Sequence, residues 1–141
     1  MNSEEMDGIL PIAAGIFTLP PYDAAPPRLL GGFCKACNRH YFPQPKYCRT
    51  CFRETEGVSL GSEGSLYSFT IIRRPSVFGL PNPYGVGYID LVESNLRIFF
   101  LLDPADIENL SIGSRVHLNV KPLGHDGFGS VRLRPFFSQA G

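Results

Sequence analysis

The sequence lacks the features that would place this protein in a membrane or mark it for export. No apolar run reaches the ~18–20 residues that a membrane helix needs. The chain opens with the acidic residues Glu4, Glu5 and Asp7, whereas a signal peptide opens with basic ones. The apolar stretch that follows, residues 9–19, is interrupted by Pro11. We therefore expect no membrane segment and no export signal.

Net charge and tryptophan are absent as well. The chain has 13 Lys plus Arg against 13 Asp plus Glu, and residues 60–141 hold seven basic and seven acidic side chains. Nucleic-acid binding normally needs a basic domain, because Lys and Arg neutralise phosphates. The aromatic side chains would allow base stacking, but in a small domain they more often form the core. Nucleic-acid binding is thus disfavoured, although a single-stranded nucleic-acid-binding or general interaction module stays an alternative.

Candidates for catalysis are scarce. The histidines are His40, His117 and His125, and all four cysteines fall within one motif. Nucleophilic catalysis needs a free cysteine or an activated serine beside a base, and the sequence has no evident carboxylate pair or phosphate-binding glycine motif. His125 and Asp126 are neighbours in sequence, which does not make them a dyad. We predict no catalytic residue in this chain and no turnover by the chain alone.

The most informative motif present is FCKACNRHYFPQPKYCRTCF, residues 33–52. Its cysteines, Cys34, Cys37, Cys48 and Cys51, form two C-x-x-C pairs with ten residues between them. Two such turns deliver four thiolates to one ion in a tetrahedral shell, which predicts a structural zinc site in a zinc ribbon. Four thiolates leave no open position for water or substrate, so we expect this zinc to hold the fold together and not to catalyse a reaction.

Two other interpretations of the cysteines stay open. Iron in a rubredoxin-like centre uses the same four ligands, and thiolates alone discriminate the two metals poorly. A redox C-x-x-C or a pair of disulfides would require a thioredoxin-like setting or a secreted protein, and the sequence indicates neither. Reduced, metal-bound cysteines without an export signal predict a cytoplasmic protein.

The cysteine motif is locally basic. From Cys34 to Arg53 there are five basic residues and no acidic one. A zinc ion with four thiolates carries two negative charges, which leaves a local formal charge of about +3. Part of this charge balances the thiolates, and the remainder suits an acidic partner surface or the phosphates of a small ligand.

The remainder of the chain is rich in β-strand patterns. A strand at residues 40–42 precedes the turn at residues 43–45, and Glu54 to Gly64 is expected to join the ribbon to a barrel through glycine turns. Asp103-Pro104 predicts a short helix through Leu110. Five strands with that helix between the third and fourth are the order of an OB-fold barrel. The five predicted barrel strands are residues 66–72, 84–92, 96–102, 115–121 and 131–134.

These patterns predict a mostly β protein with three parts: an extended proline-rich arm at residues 1–28, a rubredoxin-like zinc ribbon at 29–58, and a five-stranded OB-fold at 59–141. The prolines of the arm exclude a long helix after Gly8. Its apolar residues require cover. Two hypotheses stay open for that cover, the protein's own domain or the surface of a partner protein.

The sequence motifs resemble a known family. L-x-G-x-x-C at residues 29–34 introduces the ribbon, G-x-x-G-S-x-Y-S-x-T follows at 61–70, then R-x-P at 73–75 and P-Y-x-x-x-x-I-D-L at 83–91. Together these resemble the OB-fold/zinc-ribbon acyl-CoA-associated proteins, also called domain of unknown function thirty-five. Asn38 stands where many such knuckles carry glycine, and asparagine tolerates the left-handed backbone needed there. The proline-rich arm differs from the helical N-terminal segment common in the family.

The resemblance implies an accessory subunit. Members of this family associate with thiolase-superfamily enzymes, the two-subunit benzoylsuccinyl-CoA thiolase among them, and the partner supplies the catalytic groups. We therefore expect a non-catalytic subunit of a hetero-oligomer that stabilises a thiolase-like enzyme and helps enclose its acyl-CoA, with coenzyme A shared with the partner. Arg73 and Arg74, before the Pro75–Pro83 loop, are candidates for contacting the CoA phosphates. An acyl-CoA hydratase or aldolase as the partner is the remaining alternative.

Overall fold

The computed structural model describes residues 8–20, 22 and 25–139. The predicted arm at residues 1–28 thus lies partly outside the described residues. Within them the regular structure is mostly β, and no helix is long and apolar enough to cross a membrane. The strands are β1 (Leu29–Cys34), β2 (Arg39–Tyr41), β3 (Glu56–Gly61), β4 (Glu63–Ile72), β5 (Tyr84–Leu91), β6 (Arg97–Leu101), β7 (Arg115–His125) and β8 (Val131–Gln139).

The first sheet is the ribbon. It has three antiparallel strands in the order β2-β1-β3, so β1 lies in the centre. The predicted strand at residues 40–42 is observed one residue earlier, and it pairs with β1 across the first cysteine pair. Gly31 and Gly32 in β1 permit close packing, since a Cβ at Gly31 would lie 2.3 Å from the Tyr41 carbonyl oxygen.

The second sheet has five antiparallel strands in the order β6-β5-β4-β7-β8. It curls, because the Asp103 amide, just after β6, donates to the Phe137 carbonyl oxygen in β8 at 2.9 Å. A β-bulge at Tyr67 in β4 adds local twist. The predicted architecture of a zinc ribbon followed by a five-stranded, OB-like half-barrel is confirmed.

Ribbon and half-barrel share one apolar core. Leu29 of β1 and Leu60 of β3 are fully buried together with barrel residues such as Leu66 and Leu118. The predicted alternation in β7 appears as buried Val116, Leu118 and Val120. The predicted boundary between ribbon and OB-fold, after residue 58, falls inside strand β3. The division into domains at that residue stays a prediction. Unfolding one sheet would expose the apolar surface of the other.

The described part of the arm packs on the protein's own barrel. Phe17 is 2% exposed and belongs to the core. The Ile12 amide donates to the Leu133 carbonyl oxygen at 2.8 Å, and the Leu133 amide donates to the Leu10 carbonyl oxygen at 2.9 Å. Of the two hypotheses for this segment, cover by its own domain accounts for Phe17, whereas Leu10 and Leu19 remain about 60% exposed.

The segment predicted to be a glycine-rich joint is instead mostly strand. β3 and the start of β4 occupy it, with a turn at Gly61, whose φ is +101°. Gly64 allows close contact between strands, because a Cβ there would lie 2.6 Å from the Asp90 carbonyl oxygen in β5. The glycine content of this segment did not distinguish strands that approach closely from a connection made of tight turns.

The predicted helix from Pro104 to Leu110 is wrong in length and type. Only Pro104–Asp106 is helical, and it is a 3-10 helix whose N-cap Asp103 accepts from the Ala105 amide at 2.9 Å. Asp103 also accepts from the Ser138 hydroxyl at 2.6 Å, and Asp106 accepts from the Gln139 amide at 2.7 Å. These hydrogen bonds to β8 hold the segment in tight turns and replace the bonds of an α-helix.

Candidate metal centre

The four predicted metal ligands converge on one point. Cys34 and Cys37 flank the turn after β1, and Cys48 and Cys51 flank the turn before β3. Their sulfur atoms all lie within 4.8 Å of one another. Among the described residues, they are the one group of three or more cysteine, histidine or acidic side chains placed to hold a metal ion. The chain is therefore built to bind a metal at its ribbon.

The sulfur separations fit a tetrahedral ion and exclude disulfides. Cys34 Sγ lies 3.5 Å from Cys51 Sγ, and Cys48 Sγ lies 3.9 Å from Cys37 Sγ. A tetrahedron with metal–sulfur bonds of about 2.3 Å has edges of about 3.8 Å, whereas a disulfide needs about 2.05 Å. Cys34 and Cys48 are buried, so this site is closed on one side.

The two C-x-x-C turns share a backbone conformation. The residue after each pair is left-handed, with φ of +54° at Asn38 and +62° at Phe52. The expectation that Asn38 tolerates this conformation is confirmed. Phe52 is unexpected, since a bulky side chain is strained at positive φ, and its ring is 77% exposed. The equal spacing of the two C-x-x-C pairs predicts a left-handed residue at position 52. The phenylalanine at that position gives no indication of this conformation.

Hydrogen bonds to sulfur distinguish the thiols. The Tyr41 hydroxyl lies 3.2 Å from Cys48 Sγ, and the Thr50 amide donates to the same sulfur at 3.4 Å. The Tyr41 contact and backbone amides of the second turn lower the pKa of Cys48 to about 5. The pKa of Cys37 is raised to about 12, chiefly by its hydrogen bond with the Cys51 thiol and then by desolvation. A divalent cation at the centre would hold all four as thiolates.

The basic side chains around the centre all face solvent. Lys35 forms an ion pair with Glu56 at 3.5 Å, and Arg39 donates to the Thr50 hydroxyl at 3.3 Å. The Arg49 guanidinium lies 5.9 Å from the centre of the Tyr41 ring. Because these contacts are few and exposed, most of the local positive charge stays available to a partner.

The other candidate residues are not part of the metal centre, which consists of the four cysteines. Arg73 and Arg74 follow the end of β4 and are exposed, with no ion pair to another described residue. His125 contacts the backbone oxygen of Asp126 through Nδ1 at 2.9 Å, while the Asp126 carboxylate pairs with Arg132. The structure therefore brings no His–Asp dyad together at this turn.

Two family models match consecutive parts of the chain. Residues 23–56 match the ChsH2 rubredoxin-like zinc ribbon domain, and residues 57–121 match the ChsH2 C-terminal OB-fold domain. The first contains all four cysteines, and the second contains β4 to β6 and much of β7. Sequence families and structure thus agree on a ribbon joined to an OB-fold.

Two relatives and one solved structure are similar over much of the chain. Benzoylsuccinyl-CoA thiolase subunit BbsA of Thauera aromatica is 43% identical over 88 residues, which span 60% of this chain and 58% of that protein. A DUF35 domain-containing scaffold protein of Methanocaldococcus jannaschii is 30% identical over 102 residues, 70% of this chain and 72% of that protein. The solved structure, described as an Ltp2-ChsH2(DUF35) aldolase, matches with a TM-score of 0.63 and 25% identity, and covers 81% of this chain and 86% of that one.

The resemblance drawn from the sequence motifs is confirmed by these matches. The two models cover the whole ribbon and most of the half-barrel, and the archaeal scaffold protein aligns over more than two thirds of its length. The chain belongs to the ChsH2-type DUF35 family of zinc-ribbon and OB-fold proteins.

Proposed function

We propose that this chain is the non-catalytic accessory subunit of a thiolase-like acyl-CoA enzyme. It stabilises a hetero-oligomer with the catalytic subunit and helps enclose the acyl-CoA, so that coenzyme A is shared between the two. The observation that carries the proposal is the likeness to a thiolase subunit, at 43% identity over 88 residues. Because the aligned region spans 58% of that subunit, its activity and substrate are proposed for this chain and not transferred to it.

The chemistry of the chain supports a partner that performs the reaction. The four cysteines, the strongest nucleophiles available, converge on one metal position. In the proposal they hold a structural Zn²⁺, whose four thiolates leave no open coordination site for a substrate. The ribbon then serves as a rigid, locally basic element for docking, and catalysis depends on groups of the other subunit.

Turnover should require both subunits. We expect the purified chain alone to show no thiolytic cleavage of a β-ketoacyl-CoA by CoA, and its co-expressed complex with the catalytic subunit to show it. The catalytic subunit is first identified by affinity purification of this chain from its native cells and mass spectrometry. Turnover by the isolated chain, free of other proteins, would overturn the proposal.

Arg73 and Arg74 are proposed to contact the phosphates of CoA. Replacing both with alanine should raise KM for the acyl-CoA about tenfold in the complex, with kcat little changed, because an ionic contact made equally in ground and transition states is lost. Steady-state kinetics on the complex measures this change.

Two controls isolate the phosphate contact. Arg115→Ala removes a basic side chain that is 71% exposed, and it should leave KM unchanged. The corresponding acyl-pantetheine thioester carries no CoA phosphates, so its KM should be the same for the wild-type complex and the double variant. An equal rise in KM for both thioesters would show that the arginines do not act through the phosphates.

An aldolase partner is the second candidate. The solved structure with a TM-score of 0.63 is described as an aldolase complex containing a DUF35 chain, and it covers 81% of the present one. The two candidates predict different reactions for the same complex. Retro-aldol cleavage of a β-hydroxyacyl-CoA that proceeds without added CoA would favour the aldolase, whereas thiolytic cleavage requires CoA.

A further inference from the structure

An exposed phenylalanine stands at the tip of the β7–β8 hairpin. Phe128 is 97% exposed, more than any other large apolar side chain in the described part of the chain. It lies in the turn Asp126-Gly127-Phe128-Gly129, between the end of β7 at His125 and the start of β8 at Val131. A fully exposed aromatic ring contributes nothing to the core, so its presence needs a reason outside the fold.

The turn that carries Phe128 is rigidly held. Asp126 Oδ1 accepts from the Phe128 amide at 2.8 Å and from the Ser130 amide at 3.0 Å. Its Oδ2 accepts from Arg132 Nε at 2.8 Å, in an ion pair whose side chains are only 16% and 26% exposed. Three hydrogen bonds to one carboxylate fix the backbone on both sides of the ring. The backbone that carries the ring is therefore ordered before binding, so less backbone entropy is lost when the turn binds a partner.

A second loop packs beside this turn and widens the apolar surface. The His125 amide donates to the Phe78 carbonyl oxygen at 2.8 Å, and a Cβ at Gly79 would lie 2.6 Å from the His125 ring. This loop exposes Val77 at 82% and Phe78 at 42%, while Val131 on the hairpin is 55% exposed. We call the four exposed side chains Val77, Phe78, Phe128 and Val131 the hairpin-tip surface.

The charge around this surface is one-sided. Residues 73–80 and 121–134 contain five basic residues and one acidic residue, in a chain whose totals balance at 13 and 13. The one acidic side chain, Asp126, is paired with Arg132. If Arg73 and Arg74 are left out, these ranges still contain three basic residues, Lys121, Arg132 and Arg134, against the one acidic residue. The surface therefore suits a partner whose apolar pocket is bordered by carboxylates, because opposite charges steer association and fix orientation.

We propose that the hairpin-tip surface docks on the enzyme subunit of the complex described above, with Phe128 inserted into an apolar pocket bordered by acidic side chains. The inference rests on the proposed function and adds to it the contact that carries most of the binding energy. Buried aromatic anchors dominate protein interfaces, and an anchor on a pre-ordered turn binds with less loss of backbone entropy. The turn lies beyond residues 57–121, the part matched by the OB-fold family model.

The test compares two alanine variants in the complex. Phe128→Ala should weaken binding of the purified chain to its purified enzyme subunit about 30-fold, the effect of losing an interface hot spot. Ile112→Ala removes another large apolar side chain, 67% exposed and outside the hairpin tip, and should change the dissociation constant less than threefold. Isothermal titration calorimetry measures both constants, and unchanged melting temperatures show that the variants fold.

Hydrogen–deuterium exchange supplies a second readout. Amides of residues 76–80 and 127–131 should exchange more slowly in the complex than in the free chain, and this protection should weaken with Phe128→Ala. If the wild-type chain binds the enzyme subunit but both alanine variants bind alike, the docking inference is wrong while the proposed function stands. If the wild-type chain forms no complex with any acyl-CoA enzyme, both fail.

A second copy of the chain is the competing occupant. Sedimentation velocity of the isolated chain should show a monomer for the wild type and for Phe128→Ala. A wild-type dimer that Phe128→Ala dissociates would assign the surface to self-association and overturn the docking inference.

Discussion

Cys48→Ser is expected to release the metal and unfold the ribbon. Cys48 is fully buried and accepts hydrogen bonds from Tyr41 and Thr50, so its loss removes one of four ligands and a hydrogen-bonded anchor. Structural zinc contributes on the order of 10 kcal/mol of folding free energy in small zinc domains, which is comparable to the whole stability of a typical protein. The loss should spread to the barrel, since Leu29 and Leu60 of the ribbon lie in the common core.

Metal content and thermal unfolding measure this effect. Elemental analysis should find about one zinc per wild-type chain and almost none in Cys48→Ser, and calorimetry should show loss of the cooperative transition. Tyr41→Phe is the matched control, because it removes the hydrogen bond to Cys48 and keeps all four ligands. That variant should retain zinc, with an affinity lower by about tenfold. Full zinc content and an unchanged transition in Cys48→Ser would contradict a structural site. If elemental analysis finds iron in the wild-type chain instead of zinc, the site is a rubredoxin-like iron centre.

Phe137→Ala should destabilise the barrel by about 3–5 kcal/mol, the usual cost of truncating a buried phenylalanine. Phe137 is 1% exposed, and its ring meets Phe100 edge-on at 5.3 Å between centres. Its backbone also accepts the Asp103 hydrogen bond that joins β8 to the end of β6. The cavity left behind would therefore lie where the sheet curls on itself, and the melting temperature should fall by on the order of 10 °C.

Phe99→Ala is the matched control for this variant. Phe99 is 57% exposed on β6 and packs against Tyr88 at 5.2 Å between ring centres. Its truncation removes a cross-strand aromatic pair, which contributes about 1 kcal/mol or less. Equal losses of unfolding free energy in the two variants, measured by urea denaturation, would mean that Phe137 does not pack in the core as described.

Local patterns were sufficient for the cysteine centre and for most strands. The spacing of Cys34, Cys37, Cys48 and Cys51 determines which atoms can meet, because each C-x-x-C turn is compact and its geometry is local. Alternation at Val116, Leu118 and Val120 identified the buried face of β7 for the same reason. Both features depend only on residues that are close together in the sequence.

Long-range contacts decided the features that the patterns missed. Asp103-Pro104 predicts a helix through Leu110, yet the Asp103 and Asp106 carboxylates accept from Ser138 and Gln139, more than 30 residues away. The glycines between β3 and β4 read as a joint, although Gly64 is needed for close contact with β5. In both places a partner distant in sequence overrides the local preference.

The sequence by itself determined the four cysteines that form the metal centre, the β-rich architecture and the family. Only the tertiary structure decided that the ribbon, arm and half-barrel share one core, and that Asp126 locks a turn whose phenylalanine is left almost wholly in solvent. Ligand spacing and strand periodicity are properties of neighbouring residues. Burial and exposure depend on how distant segments pack. The residues around Phe128 in the sequence therefore do not indicate that its side chain is left uncovered.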